Sequence, residues 1–268
     1  MTCRIAVVGS GHMGRALAVG ISGTKRLEAS VFVSDPKSAQ LVGYTSPNVR
    51  TTTNNREAIE ESDIVILAVK PQVIKSVVTT HAADIGTRLV ISIAAGVPLS
   101  QLELWLGEST PIVHCMPNLA VSLNKGVTGM FANTRVNKAQ KSVVQGIFQS
   151  VGEAEWLNED EQIDIVTSVS GTGLAYFFYL MDATIQAAKE LGMDESIAKR
   201  FVTRTALGAA AIAVDSGTDP SVLRDQVASP GGTTERALSV LDTNRVRESI
   251  IDAVKAAFAR SAELTASL

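Results

Sequence analysis

The sequence contains few of the residues that build disulfide frameworks, metal sites and nucleic-acid surfaces. Among 268 residues there are two cysteines, Cys3 and Cys115, and three histidines. The cysteines lack the spacing of a zinc or redox motif, so neither a metal site nor a disulfide is expected, and both are predicted to be core residues in a reducing compartment. The formal net charge is −3, without a dense basic run, which argues against a nucleic-acid partner.

Long hydrophobic runs are also lacking. The run Ile5–Val8 is too short for a signal peptide, and even Thr205–Val214 ends at the charged Asp215. No apolar stretch is expected to span a membrane, so we predict a cytoplasmic protein without a membrane partner. Hydrophobic residues make up 46% of the chain and charged residues 19%, which is ample material for packed cores.

Residues 1–157 alternate short apolar runs with helical patterns. Strands are predicted at Arg4–Gly9, Ser30–Ser34, Ile64–Val69, Leu89–Ile93, Ile112–His114 and Val127–Phe131, and helices at Met13–Ile21, Arg56–Glu61, Gln72–Ala82 and Leu99–Trp105. Strands that are apolar throughout are buried on both faces, as in a parallel sheet covered by helices. The pattern predicts an α/β domain, a Rossmann-like doubly wound sheet.

A glycine-rich motif, Gly9-Ser10-Gly11-His12-Met13-Gly14, follows the first strand and opens a helix, and Asp35 ends the second strand 21 positions after Gly14. This arrangement predicts a dinucleotide site. The Asp35 carboxylate can accept hydrogen bonds from both ribose hydroxyls of NADH, and it would repel a 2′-phosphate by about 1–4 kcal/mol at about 4 Å. The sequence favours NADH, but NADPH stays open because Lys37 can offset part of the repulsion. The alternative role for Asp35 is a turn residue before Pro36.

Two further segments, Ala68–Gln72 and His114–Asn118, end predicted strands, where open α/β sheets bind ligands. Lys70 is either a phosphate ligand or an ordinary surface lysine. His114 is either a general acid or, as is more usual for a lone histidine in an apolar strand, a packed and hydrogen-bonded residue.

Residues 158–268 show only helical patterns, which predict a separate all-α domain. Its glycine-flanked loops and its apolar helix make it the expected substrate-binding and dimerisation domain. Helices are predicted at Asp160–Ser168, Leu174–Leu191, Glu195–Ser216, Ser221–Val227, Thr234–Leu241 and Asn244–Leu264. The stretch Leu174–Met181 is apolar around the whole circumference of its helix. The roughly 110 residues of this helical half cannot easily surround such a helix alone. We therefore expect a second subunit to cover it.

Two glycine-flanked segments are predicted to open helices in this half. Ser229-Pro230-Gly231-Gly232-Thr233-Thr234 precedes a helical pattern, so its amides and the positive end of the helix dipole favour an anion such as a carboxylate. Its alternative role is a Pro-Gly turn with a threonine N-cap. Ser170-Gly171-Thr172-Gly173 either places Thr172 beside the ligand or is a threonine N-cap, and local sequence leaves both open.

Five motifs occur in order along nearly the whole chain, and together they resemble the pyrroline-5-carboxylate reductase family. They are Gly9–Gly14, Ala68–Gln72, Met116–Asn118, Ser170–Tyr176 and Ser229–Thr234, of which the last is the most specific. The resemblance implies reduction of 1-pyrroline-5-carboxylate to L-proline, the last step of proline biosynthesis, with hydride from NADH or NADPH. It also implies a homodimer or higher homo-oligomer formed through the C-terminal helices.

The resemblance further implies the roles of individual residues. Backbone amides around Gly232 hold the substrate carboxylate, and Thr234 bonds the ring nitrogen as the catalytic residue. The implied substrate-binding residues are Ser229, Gly231, Gly232, Thr233 and Thr172. The cofactor-binding residues are Gly9, Gly11, His12, Met13, Gly14, Ser34, Asp35, Asn55, Ala68, Val69, Lys70, Pro71 and Asn118, with Asn55 on the adenosine side.

Three departures from the family pattern qualify this identification. Thr172 and Leu174 replace a usual serine and proline, Leu119-Ala120 replaces Thr-Pro, and Asp35 stands where NADPH-preferring members carry serine or a basic residue. Two alternatives stay open: a reductase for a related cyclic imino acid, and a non-catalytic dinucleotide-binding regulator. A 2-hydroxy-acid dehydrogenase is disfavoured, because the helix from Leu174 has no lysine before Lys189.

Overall fold

The computed structural model describes residues 3–25 and 27–266, and the chain divides into two compact units. Unit one comprises the described residues up to Thr172 together with those from Ala257 onward. Unit two comprises Gly173–Ala256. The last helix of the chain therefore contributes residues to both units.

Unit one is built on one eight-stranded sheet. Its strands are β1 Cys3–Val8, β2 Ala29–Ser34, β3 Val49–Thr52, β4 Ile64–Leu67, β5 Leu89–Ser92, β6 Ile112–Pro117, β7 Gly126–Ala132 and β8 Gly152–Trp156. The spatial order is β3-β2-β1-β4-β5-β6-β7-β8, and every neighbouring pair is parallel except β6 and β7. The order reverses beside β1, which is the topological switch point where such sheets bind dinucleotides.

Helices cover both faces of this sheet, as the apolar strands require. They are α1 His12–Gly23, α2 Asn55–Glu60, α3 Pro71–Ile85, α4 Leu99–Leu106, α5 Lys138–Gln149 and α6 Gln162–Val166, with short 3₁₀ turns at Ser38–Leu41 and Leu119–Leu123. One core joins β-strand residues to Leu17 of α1 and Phe148 of α5. The other joins them to Ile74 of α3 and Leu102 of α4. The predicted doubly wound α/β fold is confirmed.

Three elements were not predicted from the sequence. The edge strands β3 (Val-Arg-Thr-Thr) and β8 (Gly-Glu-Ala-Glu-Trp) are largely polar, so they lack the apolar runs of the central strands. Helix α5 begins with a capping box in which Asn137 accepts from the Gln140 amide and the Gln140 side chain accepts from the Asn137 amide. Its buried residues Val144, Ile147 and Phe148 are helically spaced.

Unit two is entirely helical. It contains α7 Gly173–Glu190, α8 Glu195–Ser216, α9 Pro220–Gln226, α10 Thr233–Thr243 and the first half of α11 Val246–Ala266. Phe177, Phe178 and Tyr179 on α7 are 63%, 61% and 78% exposed. This subunit alone therefore leaves a large aromatic face of α7 uncovered.

The helical backbone runs without a break from Gln162 to Glu190 through a π-helical turn at Thr167–Gly171. The Thr172 amide donates to the Thr167 carbonyl across that turn, at 2.9 Å. Helix α7 begins at Gly173, where the Ser170–Gly173 segment was predicted to open a helix, but the preceding π turn joins α7 to α6, so the segment is not a free helix N-terminus. The expectation that no segment has membrane-spanning length is wrong, because this joined helix of 29 residues is long and apolar enough by length and composition.

Candidate cofactor and substrate site

The glycine-rich motif forms the turn between β1 and α1. Gly9 has φ +103°, and a Cβ there would lie 2.7 Å from the Ala68 carbonyl oxygen. A Cβ on Gly14 would lie 2.1 Å from the Gly9 carbonyl oxygen. Both glycines are thus required by backbone packing. By contrast, no atom lies within 4 Å of a Cβ built on Gly11, so Gly11 leaves open space at the N-terminus of α1, as a pyrophosphate requires.

Asp35 follows β2, and its carboxylate is fixed by the backbone. The Ser10 amide donates to Oδ2 at 2.9 Å, and the Lys37 amide donates to Oδ1 at 2.9 Å. Each carboxylate oxygen therefore has one bond and keeps capacity for another donor. Asp35 is thus a turn residue, and its carboxylate is already positioned to accept hydrogen bonds beside the glycine-rich turn.

The segment after Asp35 is clamped to α1 by residues that the sequence analysis did not identify. The Ser10 hydroxyl lies 2.8 Å from the Gln40 carbonyl oxygen and 2.8 Å from the Tyr44 hydroxyl. The Arg15 guanidinium donates to the carbonyls of Gln40 and Val42 at 2.6 and 2.8 Å, and it lies 4.5 Å from the centre of the Tyr44 ring. Burial raises the pKa of the Tyr44 phenol, so it stays a neutral partner.

Two buried oxygen atoms near the same edge of the sheet have no hydrogen-bond partner in the part of the chain that the structure describes. They are Ser34 Oγ, at the end of β2, and Asn55 Oδ1, at the start of α2. The α2 helix is capped by Asn54, which accepts from the Arg56 amide, so capping does not use Asn55. Unsatisfied buried oxygens are rare in folded proteins. Together with the open space at Gly11, they make this edge fit a bound dinucleotide.

The residues of the two strand-end segments, Ala68–Gln72 and His114–Asn118, differ in exposure and in hydrogen bonding. Lys70 is the exposed residue before Pro71, the first residue of α3. Asn118 is buried, and its side-chain oxygen accepts from the Ala120 and Val127 amides while its Nδ2 donates to the Ser170 carbonyl at 3.4 Å. Asn118 therefore organises the loop after β6. His114 is packed and bonded to Asp160, which matches the non-catalytic alternative.

The Ser229–Thr234 loop lies in unit two and opens α10 at Thr233, as predicted. Gly231 has φ +70°, and its amide donates to the Glu235 carboxylate at 2.6 Å. The Gly232 amide donates to the Ser229 carbonyl at 3.0 Å, and a Cβ on Gly232 would lie 2.5 Å from Ser229 Oγ. The first-turn amides, those of Thr233 and Thr234, have no earlier helical carbonyl to bond.

Thr172, which was assigned to the substrate, is at the end of unit one. Its hydroxyl lies 2.8 Å from the Ser168 carbonyl oxygen and 3.3 Å from that of Thr167. The hydroxyl therefore donates within the π turn that contains it. The assigned cofactor residues all belong to unit one, and Ser229–Thr234 belong to unit two.

Two family models match the chain. Residues 160–264 match the model for pyrroline-5-carboxylate reductase dimerisation, and residues 4–96 match the model for NADP oxidoreductases that depend on coenzyme F420. A pyrroline-5-carboxylate reductase of Pseudomonas aeruginosa is 41% identical over 100% of this chain and 98% of its own. One from Methanosarcina acetivorans is 36% identical over 97% of both.

Solved structures give the same result. A pyrroline-5-carboxylate reductase from Coxiella burnetii has a TM-score of 0.88 at 37% identity and covers 99% of both chains. A pyrroline carboxylate reductase of Plasmodium falciparum, solved with NADP bound, has a TM-score of 0.88 at 28% identity over 98% of both. On the strength of these full-length matches, the chain belongs to the pyrroline-5-carboxylate reductase family.

Proposed function

We propose that the protein reduces 1-pyrroline-5-carboxylate to L-proline with a hydride from a nicotinamide dinucleotide, the last step of proline biosynthesis. The N-terminus of α10 carries the proposal. There, the first-turn amides of Thr233 and Thr234 and the half-buried Thr234 side chain meet at a positive helix end. A small ring that bears a carboxylate beside its nitrogen matches that arrangement.

The residues at α10 supply orientation. We assign the substrate carboxylate to the amides of Thr233 and Thr234, and the ring nitrogen to the Thr234 hydroxyl. A protonated cyclic imine is already electrophilic at carbon, so reduction needs chiefly alignment and charge complementarity. The bound nicotinamide supplies the hydride that becomes the new C–H bond, and the imine double bond becomes the amine. No strong side-chain acid is required.

For the cofactor, we propose that NADH is preferred. The support is the double anchoring of Asp35 by the Ser10 and Lys37 amides. The carboxylate cannot swing away from a 2′-phosphate without losing both bonds, and loss of the bond to the buried Ser10 amide would cost about 1–3 kcal/mol. The family includes the NADP-bound structure described above, so Asp35 would be the feature that separates this chain from such relatives.

We propose a homodimer, or a higher homo-oligomer, in which partner helices cover α7. The support is the exposed aromatic face of α7 and the dimerisation-model match over residues 160–264. A lipid environment would suit an apolar helix equally well, but α8, which packs against α7, carries charged residues such as Lys199, Arg200 and Arg204. We therefore assign the protein to the cytoplasm.

A related cyclic imino acid is the second candidate substrate. Thr172, Leu174 and the Leu119-Ala120 pair depart from the family pattern, and the Thr172 hydroxyl is engaged within its own helix. The deciding experiment is a cofactor-oxidation assay with 1-pyrroline-5-carboxylate and with cyclic imines of other ring size. Turnover of 1-pyrroline-5-carboxylate at the highest kcat/KM supports the proposal. Dinucleotide binding without turnover of any imine would indicate a regulator.

A further inference from the structure

A cavity of about 280 Å³ lies in unit one, beside β6 and near the starts of α4 and α6 and the end of α11. None of the residues assigned above to cofactor or substrate lines it. Its apolar lining includes Leu99, Phe131 and Ile163. Its ionisable lining residues are Glu103, His114, Asp160, Glu161 and Asp164. The cavity is therefore apolar on some walls and acidic on others.

Nε2 of His114 is a buried atom in this cavity that has no hydrogen-bond partner among the described residues. Its side chain is 4% exposed, and Nδ1 lies 2.6 Å from Asp160 Oδ1. The other oxygen of Asp160 accepts from the Leu99 amide at 2.7 Å. An ionised carboxylate can only accept, so Nδ1 carries the proton, and in the neutral ring Nε2 is an acceptor. Nε2 is buried with no hydrogen-bond partner among the described residues, so the neutral ring offers a lone pair that none of their donors satisfies.

The other polar groups of the cavity are also mainly acceptors. Glu103 accepts from the Asn133 side chain, Asp164 accepts from the Ser261 hydroxyl, and the Thr265 hydroxyl donates its proton to the Ser261 carbonyl. Among the described residues that line the cavity there is no lysine or arginine. Within residues 3–25 and 27–266, no group of three or more acidic, histidine or cysteine side chains converges closely enough to hold a metal ion. The chemistry favours a ligand that carries several N–H donors and a positive charge.

We propose that this cavity binds a small alkylammonium ion. Its ammonium group is placed by His114, Glu161 and Asp164, and its alkyl chain packs against Leu99, Phe131 and Ile163. The ligand supplies the donor that Nε2 lacks and offsets part of the negative charge. The site is independent of the proposed reductase reaction, because it shares no residue with the cofactor and substrate assignments.

The test is long-range ¹H–¹⁵N NMR of the histidine rings in the full-length protein. The chain has three histidines, so His12 and His81 act as internal controls. Addition of n-butylammonium is expected to shift the His114 Nε2 signal saturably. n-Butanol, NaCl at equal ionic strength and Mg²⁺ are expected to leave it unchanged.

The matched variants separate binding from bulk charge. Glu161→Gln removes a lining carboxylate and is expected to weaken butylammonium binding about tenfold, which corresponds to the loss of one charge-assisted contact. Glu153→Gln removes the same charge from exposed β8 and should bind as the unmodified protein does. The proposal is overturned if His114 shows no saturable shift, if butanol or Mg²⁺ shifts it equally, or if the two variants bind alike.

Discussion

Replacement of Asp35 by asparagine tests the cofactor assignment most directly. In the unmodified protein the carboxylate accepts from the Ser10 and Lys37 amides and keeps further lone pairs for the two ribose hydroxyls of NADH. Hydrogen bonds to a charged group contribute about 1.5–3 kcal/mol each, so loss of the charge should lower kcat/KM for NADH about 10- to 100-fold. Relief of repulsion at about 4 Å is worth about 1–4 kcal/mol, so kcat/KM for NADPH should rise at least about 5-fold.

The measurement is kcat/KM for both cofactors at one fixed ionic strength, because salt screens an exposed charge. Lys37→Ala is the companion variant. It keeps the amide that bonds Asp35 and removes the Lys37 ammonium group, which can favour a 2′-phosphate. We expect it to lower only the NADPH value, and by less than tenfold. A strong NADPH preference in the unmodified protein, or an unchanged cofactor ratio in Asp35→Asn, would refute the reasoning.

Three other predictions concern the substrate loop, the glycine-rich turn and the assembly. Thr234→Ala should lower kcat/KM for the imine about 10- to 100-fold. Thr233→Ala keeps the backbone amide and should lower kcat/KM far less. Equal effects of the two variants would show that the Thr234 hydroxyl does not contact the substrate. Gly14→Ala should lower the free energy of unfolding by about 1–3 kcal/mol or more, because its Cβ meets the Gly9 carbonyl at 2.1 Å. Gly11→Ala should keep the same Tm but lose cofactor affinity by calorimetry. Light scattering should give at least twice 28.2 kDa, and a monomer would contradict the exposed α7 argument.

The sequence predicted the doubly wound fold because its signals are local. Gly9, Gly11 and Gly14 lie between an apolar strand and a helix, and the spacing to Asp35 is set by one β-α-β unit. The clamp formed by Ser10, Arg15 and Tyr44 was not predicted. Its hydrogen bonds join residues that are 25 to 34 positions apart, and several are accepted by backbone carbonyls. Because any residue type supplies a backbone carbonyl, the sequence does not indicate these bonds.

The π turn before α7 was missed for a different reason. Gly171 and Gly173 usually mark the end or start of a helix, so the pattern predicted a break. The structure continues the helix because the Thr172 amide reaches the Thr167 carbonyl, and the Thr172 hydroxyl reaches the Ser168 carbonyl. A π turn of this kind often marks a functional position, and it fixes Thr172 more firmly than a frayed N-cap would.

The two glycine loops use their amides in opposite ways. The Gly9–Gly14 turn leaves open space at Gly11. In the Ser229–Thr234 loop, by contrast, the Gly231 amide already donates to the Glu235 carboxylate, and the Gly232 amide donates to the Ser229 carbonyl. A loop closed on itself keeps its shape before the substrate arrives, which lowers the entropic cost of ordering it. The same closure brings the Glu235 carboxylate to Gly231, where it opposes a substrate anion. In the proposed substrate assignment, the amides of Thr233 and Thr234 would therefore provide most of the attraction, and the Thr234 hydroxyl would add the side-chain contact to the ring nitrogen.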